Sequence, residues 1–97
     1  MIKINIYKNK IEVKGHANYD KHGKDIVCAA VSSCVLTTIN SILSINEKSI
    51  NVIKNENLII EIISNDEITL KLIKNMLNML YELKNDYEKY IEINEEV

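Results

Sequence analysis

The sequence predicts an α+β domain, a mostly antiparallel five-stranded sheet with two helices in the order β-β-α-β-β-α-β. Three observations carry this. Isoleucine and valine recur at every second residue in short runs, the period of a half-buried strand. Two longer stretches repeat their apolar positions every three or four residues, as amphipathic helices do. Polar clusters of Asn, Asp, Ser and Lys separate these runs, and no proline occurs. Strand pairs interleaved with helices build a layered domain.

Ile2, Ile4 and Ile6 alternate with Lys3, Asn5 and Tyr7, giving the first strand. Lys8-Asn9-Lys10 turns the chain, since Asn tolerates the left-handed backbone of a tight hairpin. Ile11 and Val13 alternate with Glu12 and Lys14 in the second strand. Continued, that parity sets Gly15 and Ala17 toward the core and His16 on the polar side. A bulge at Gly15 would re-aim His16. Residues 17–24 are polar and end in Gly23-Lys24, a loop. Asp25 then serves as N-cap, its carboxylate placed to accept from amides two and three residues on.

From Ile26 to about Ile45 the apolar positions Val27, Val31, Cys34, Val35, Thr38, Ile42 and Ile45 follow helical spacing, and Asn46-Glu47-Lys48 ends the helix. Ile50, Val52 and Ile53 form a third strand, and Asn55-Glu56-Asn57 a turn. Leu58 to Ile63 is apolar on both faces, as a central strand would be. Ser64-Asn65-Asp66 caps a second helix carrying Leu70, Ile73, Met76, Leu77, Leu80 and Leu83. Ile68, Leu72 and Met79 leave apolar positions beyond one stripe, which suits a dimer interface or a wide core contact equally. Tyr87 to Asn94 alternates again and gives the fifth strand.

At this length, residues 1–97 are expected to form one domain. The apolar share of 46% suffices for a core, which must be aliphatic because Phe and Trp are absent. All twelve basic residues are Lys. With a net charge of -2 and no basic cluster, direct nucleic-acid binding is not expected. The opening Met-Ile-Lys-Ile-Asn-Ile alternates and is not read as a signal peptide, and no run approaches a membrane span. Two cysteines without a secretory leader suit reduced thiols in the cytoplasm. Cys28 and Cys34 lie six residues apart on different faces of one helix, too far for a disulfide. Two His and two Cys at these spacings match no zinc pattern, so neither metal nor other cofactor is expected.

The chemistry-bearing residues gather in Gly15–Ser32, which holds both glycines, both histidines and Cys28. With Asp25 as cap, Cys28 is the third helical residue. Its sulfur sits in the positive field of the helix N-terminus, which favours thiolate, while the Asp25 carboxylate opposes it. First-turn amides could donate to an oxyanion. His16, anchored beside a glycine at a strand end, and His22, in mid-loop, are the available imidazoles. Catalysis needs groups held in reach, which favours His16. On residue type alone, a Cys in Ile-Val-Cys-Ala-Ala-Val is more often a small buried hydrophobe. Asp25 is also a plain cap, and Ser32 one turn on is a residue that packs or bonds back to a carbonyl.

The block Gly15-His16-Ala17, a loop, then Gly23-Lys24-Asp25-Ile26-Val27-Cys28-Ala29-Ala30-Val31-Ser32 resembles the signature of the ribosomal-processing cysteine protease family (Prp). Chain length and element order fit as well. The second half is similar in pattern only, and Ser33-Cys34 departs from the family. The resemblance implies a small cytoplasmic homodimer and a cysteine endopeptidase. Its substrate would be the precursor of the twenty-seventh large-subunit ribosomal protein, whose short N-terminal extension is removed after an aromatic residue. It puts the nucleophile on Cys28 and the base on His16, with Gly15, Gly23, Asp25 and Ser32 as accompanying motif positions. It makes Asn18, Tyr19, Asp20, Lys21 and His22 a substrate-gating loop. A non-catalytic dimeric protein that binds such a precursor is the alternative. Strict strand parity turns His16 away from the helix, so a dyad requires a bulge at Gly15, a frayed strand end or closure on substrate.

Overall fold

The computed structural model describes residues 1–21 and 23–96. His22 therefore lies outside the described residues. The elements are β1 (Ile2–Ile6), β2 (Lys10–Lys14), α1 (Ile26–Ile45), β3 (Ile50–Lys54), β4 (Leu58–Ile62), α2 (Glu67–Asp86) and β5 (Ile91–Glu95). The element order is the expected one. The strands form one sheet in the order β3-β4-β2-β1-β5. Three neighbouring pairs are antiparallel, and β1 with β5 is parallel, so the sheet is mixed.

Topology explains that parallel pair. A helix crossover returns the chain in its starting direction. Thus β2–α1–β3 and β4–α2–β5 each join parallel strands, passing over β4 in one case and over β2 and β1 in the other. The two crossovers travel in opposite directions across the sheet from oppositely directed strands. Right-handed connections then place both helices on the same face, where α1 and α2 pack on one another.

That face holds the core. Ile4 pairs with Val13 and Ile93, Ile11 with Ile6 and Ile60, and Ile60 with Val52. Against them α1 buries Val27, Val31, Val35, Ile39 and Ile42, and α2 buries Thr69, Ile73, Met76 and Leu80. Each fully buried large aliphatic contributes roughly 1.5–3 kcal/mol. The opposite face is polar. Asn5 donates to Glu12 Oε1 at 3.1 Å, and Asn94 donates to Asn5 Oδ1 at 3.1 Å.

Several expectations change. The helices cover one face of the sheet only, so β4 is not apolar on both: Glu61 lies on the open face with Ile59, paired with Asn51 and Lys10, and Ile63 is outside the strand and exposed. Residues Tyr87–Tyr90 are not strand. Tyr87 caps α2, its N–H donating to Leu83 O, and Tyr90 N–H closes a turn onto Tyr87 O. Leu70 on α2 and Ile45 on α1 are exposed, and Ile39 takes an unforeseen core position. The exclusion of a membrane-length run also fails for α1. It is twenty residues long, uncharged throughout, and apolar enough to cross a membrane by length and composition. Ser, Thr and Asn dispersed among its aliphatics disguise this in the sequence. Here its Val and Ile stripe belongs to the common core.

Candidate active site

The site is built where β2 gives out and α1 begins. Asp25 has extended backbone (φ -79°, ψ 101°) and caps α1: its Oδ1 accepts from the N–H groups of Val27 and Cys28, each at 3.0 Å. Its Oδ2 accepts from the Tyr19 N–H at 3.0 Å, which ties the preceding loop to the helix start. These contacts hold the Asp25 carboxyl below its ordinary range. The Cys28 N–H is the leading cause, burial works against it, and the Tyr19 N–H and Cys28 side chain add to the lowering.

Gly15 leaves the strand with φ +85°. A Cβ there would stand 2.4 Å from the Met1 carbonyl oxygen, so both the left-handed backbone and the neighbouring chain require glycine. Gly15 itself is exposed rather than core-facing, while Ala17 is buried as parity expected. The turn at Gly15 frees His16 from the alternation of β2. His16 and Cys28 line one cavity of about 540 Å³, together with Gly23, Asp25 and Ser32. Asn18, Asp20 and Ala29 complete its lining. Gly15, Tyr19 and Lys21 are not part of it.

Cys28 is half-buried and unpaired with Cys34. Its Sγ receives the Ala17 N–H at 3.3 Å. No hydrogen bond joins His16 to Cys28 among the described residues, so the two face a shared cavity without touching. The expectation of free first-turn amides needs correction. Val27 and Cys28 N–H groups are taken by the Asp25 side chain, and Ala29 N–H by the Asp25 carbonyl. The amide seen beside the Cys28 sulfur is that of Ala17, which donates to it.

Tyr19 anchors the segment after Ala17 through its ring as well as its N–H. The Tyr19 ring meets Tyr90 edge-on at 5.0 Å and Tyr87 at 5.7 Å. Lys21 N–H donates to Asp20 Oδ1, and Lys24 N–H to Lys21 O. Asn18 holds a positive φ of 56°, and Gly23 one of 88°. Cys34 lies half-buried against α2, its thiol donating to the Met76 carbonyl at 3.9 Å, and burial pushes that thiol up.

Sequence reasoning passed over Ala17, whose contribution is a backbone N–H that no side-chain motif announces. It also passed over Tyr87 and Tyr90. Three tyrosines that meet in space, two of them spaced by three in a chain with only five, were the available signal.

Comparison with known proteins agrees with this architecture. A family model for cysteine protease Prp matches residues 1–92. Ribosomal processing cysteine protease Prp of Mycoplasma genitalium is 57% identical over 35 residues, 36% of this chain and 35% of that protein. The Bacillus subtilis protein of the same name is 44% identical over 32 residues, 33% and 29% of the two chains. The aligned stretch thus spans about a third of the curated relatives it matches. Prp from S. aureus, crystallised with a covalently linked product peptide, has the same fold at a TM-score of 0.94 and 22% identity, covering 99% of this chain and 100% of that one. The S. aureus Prp structure with a substrate peptide gives 0.87 at 21% identity, over 99% and 100%.

Proposed function

Since the chain belongs to the cysteine protease Prp family, we propose that residues 1–97 are a single cysteine-protease domain acting on a ribosomal-protein precursor through a Cys28–His16 dyad. The observation that carries this is the meeting of Cys28, at the third position of a capped helix, with His16 across one cavity. In this reading His16 takes the Sγ proton and the thiolate attacks the scissile carbonyl. The new S–C bond forms as the carbonyl becomes an oxyanion. The Ala17 N–H, which meets the sulfur in the resting site, is the donor that would turn to that oxyanion. The C–N bond then breaks, and His16 returns the proton to the leaving amine. Water hydrolyses the thioester, releasing the acyl product as a carboxylic acid and restoring the thiol.

Asp25 acts on the reaction through the loop. One carboxylate oxygen holds the helix start and the other the Tyr19 amide, so it sets the distance between the Cys28 turn and the segment that follows His16. The substrate of this reading is the N-terminal extension of the twenty-seventh large-subunit ribosomal protein. The working form is a cytoplasmic homodimer, with the loop of Asn18 to His22 yielding to admit the peptide. Release of the Tyr19 ring from Tyr87 and Tyr90 is the motion that would open it.

The test is incubation with the synthetic extended N-terminus of the host's own ribosomal protein, read by mass. A single cut by the parent protein, absent in Cys28→Ser and strongly slowed in His16→Ala, is the expected result. Cutting that persists in Cys28→Ser removes the nucleophile. Binding of the peptide without any cut by the parent favours the non-catalytic reading.

A further inference from the structure

A second cavity, of about 180 Å³, adjoins the Cys28 cavity. The two share Ser32, one helical turn past the nucleophile. Val31, Val35 and Leu36 of α1 form one side. Val13 and Leu58, directly opposite one another on β2 and β4, form the other. Ser32 and Lys54 are the polar residues of this lining. Both are exposed, so neither is a buried polar group that a ligand would have to satisfy. Leu36 is 40% exposed, a large aliphatic left open at the surface.

Size and place select the occupant. An apolar cavity of about 150 Å³ accepts a benzene molecule, so this one holds a single leucine-, isoleucine- or phenylalanine-sized side chain. The exposed apolar residues Ile68, Leu70 and Met79 all lie on α2, away from it. Cys28 and Leu36 are eight residues apart, about 12 Å along a helix axis. An extended peptide covers that distance in about three or four residues at roughly 3.3 Å each.

We propose that this cavity is a specificity subsite that takes one apolar side chain of the peptide substrate, three or four residues from the bond Cys28 attacks. The inference rests on the protease reading above, and adds to it a named determinant of sequence choice. Val13 ties the subsite to the catalytic strand: it is three residues before His16 on the same segment. A side chain seated there would register the peptide on both His16 and Cys28.

The experiment compares the parent with Leu36→Asn on a series of extension peptides in which each apolar residue within five positions of the cut is replaced singly by Ser. For the parent, one replacement three or four residues from the cut should raise KM about 10-fold or more, with kcat little changed. Leu36→Asn should lose most of that sensitivity and keep the sensitivity at every other position. Leu36→Phe, which fills the cavity instead of opening it, should shift the preference at that position toward smaller residues and serves if Leu36→Asn does not fold. Equal sensitivity profiles in parent and variants overturn the subsite, as does sensitivity confined to residues adjoining the cut. So does a Leu36 variant that changes oligomeric state without any position-specific effect. If the parent cuts no peptide, the protease reading fails separately. Binding of fluorescein-labelled peptides to Cys28→Ser, with and without Leu36→Asn, then decides the subsite alone: unequal losses at one position support it, and equal affinities or no binding overturn it.

Discussion

The backbone N–H of Ala17 points at the Sγ of Cys28 from 3.3 Å away. Ala17 follows His16 directly, so the residue that carries the imidazole and the residue that carries the thiol are held by one main-chain contact. Ala17 is itself buried, which fixes that donor in place.

Alkylation distinguishes the two cysteines. Near neutral pH, iodoacetamide should modify Cys28 several-fold faster than Cys34, whose thiol is pushed up by burial against α2. His16→Ala should slow Cys28 and leave Cys34 unchanged. Peptide mapping by mass checks both rates. Equal rates at the two positions would count against an activated Cys28.

The Asp25 cap gives an acid-side signature. Its carboxyl is lowered in the folded protein, chiefly by the Cys28 N–H. A carboxylate lowered by folding contributes stability that is complete above its unfolded value, here 3.8, and is lost as pH falls through the lower folded value. Asp25→Asn should accordingly lower Tm at pH 7, where the carboxylate contributes in full, and lower it progressively less below about pH 4. Asp25→Ala, which removes the acceptor, should lower Tm at all pH values. Thermal melts from pH 2 to 7 test the difference.

The two glycines should respond unequally to alanine. Both hold positive φ, a conformation that costs a non-glycine residue about 1–3 kcal/mol. At Gly23 nothing lies within 4 Å of the added Cβ, so Gly23→Ala should cost no more than that. At Gly15 the Cβ meets the Met1 carbonyl oxygen at 2.4 Å. Gly15→Ala should therefore be the more destabilising by urea denaturation, and should also cut activity by displacing His16.

Tyr19 should behave as a latch. Edge-to-face aromatic pairs contribute roughly 0.5–1.5 kcal/mol each, and its ring makes two. Tyr19→Ala, or Tyr90→Ala on the opposite side, should speed amide hydrogen exchange across residues 17–21 while leaving the sheet's exchange unchanged. No change in loop exchange would show that the ring contacts do not hold the loop.

Local chemistry was legible in the sequence. Asp25 followed by Val27, Val31 and Val35 announces a cap and a helix face, and the helix runs from Ile26 to Ile45 as its spacing implies. Alternation in Ile2–Ile6 and Lys10–Lys14 specifies strands and their inner faces. Relations between distant segments were not legible. The parallel β1–β5 pair depends on where α2 delivers the chain, which no local period encodes. The strand reading overran into Tyr87–Tyr90, whose tyrosines are three apart and out of strand period, and the helix cap claims Tyr87. The need for a break in parity at Gly15 was visible, whereas its cause, the Met1 carbonyl, is tertiary. The family motif pointed to His16 and Cys28, which line one cavity; the amide of Ala17 and the Ser32-linked cavity emerged only from the assembled backbone.

The β1–β5 pairing also sets when the protein can fold. Ile2 lies beside Ile91 and Ile6 beside Glu95, so β1 waits for a strand translated after both helices. Contacts this remote in sequence close slowly and cannot form on a partial chain. β2, which leads into His16, is itself held between β1 and β4. His16 and Cys28 are thus synthesised early yet framed late. A nascent chain carries both residues while still lacking the sheet that frames them, so the cavity they share is complete only once β5 has been made.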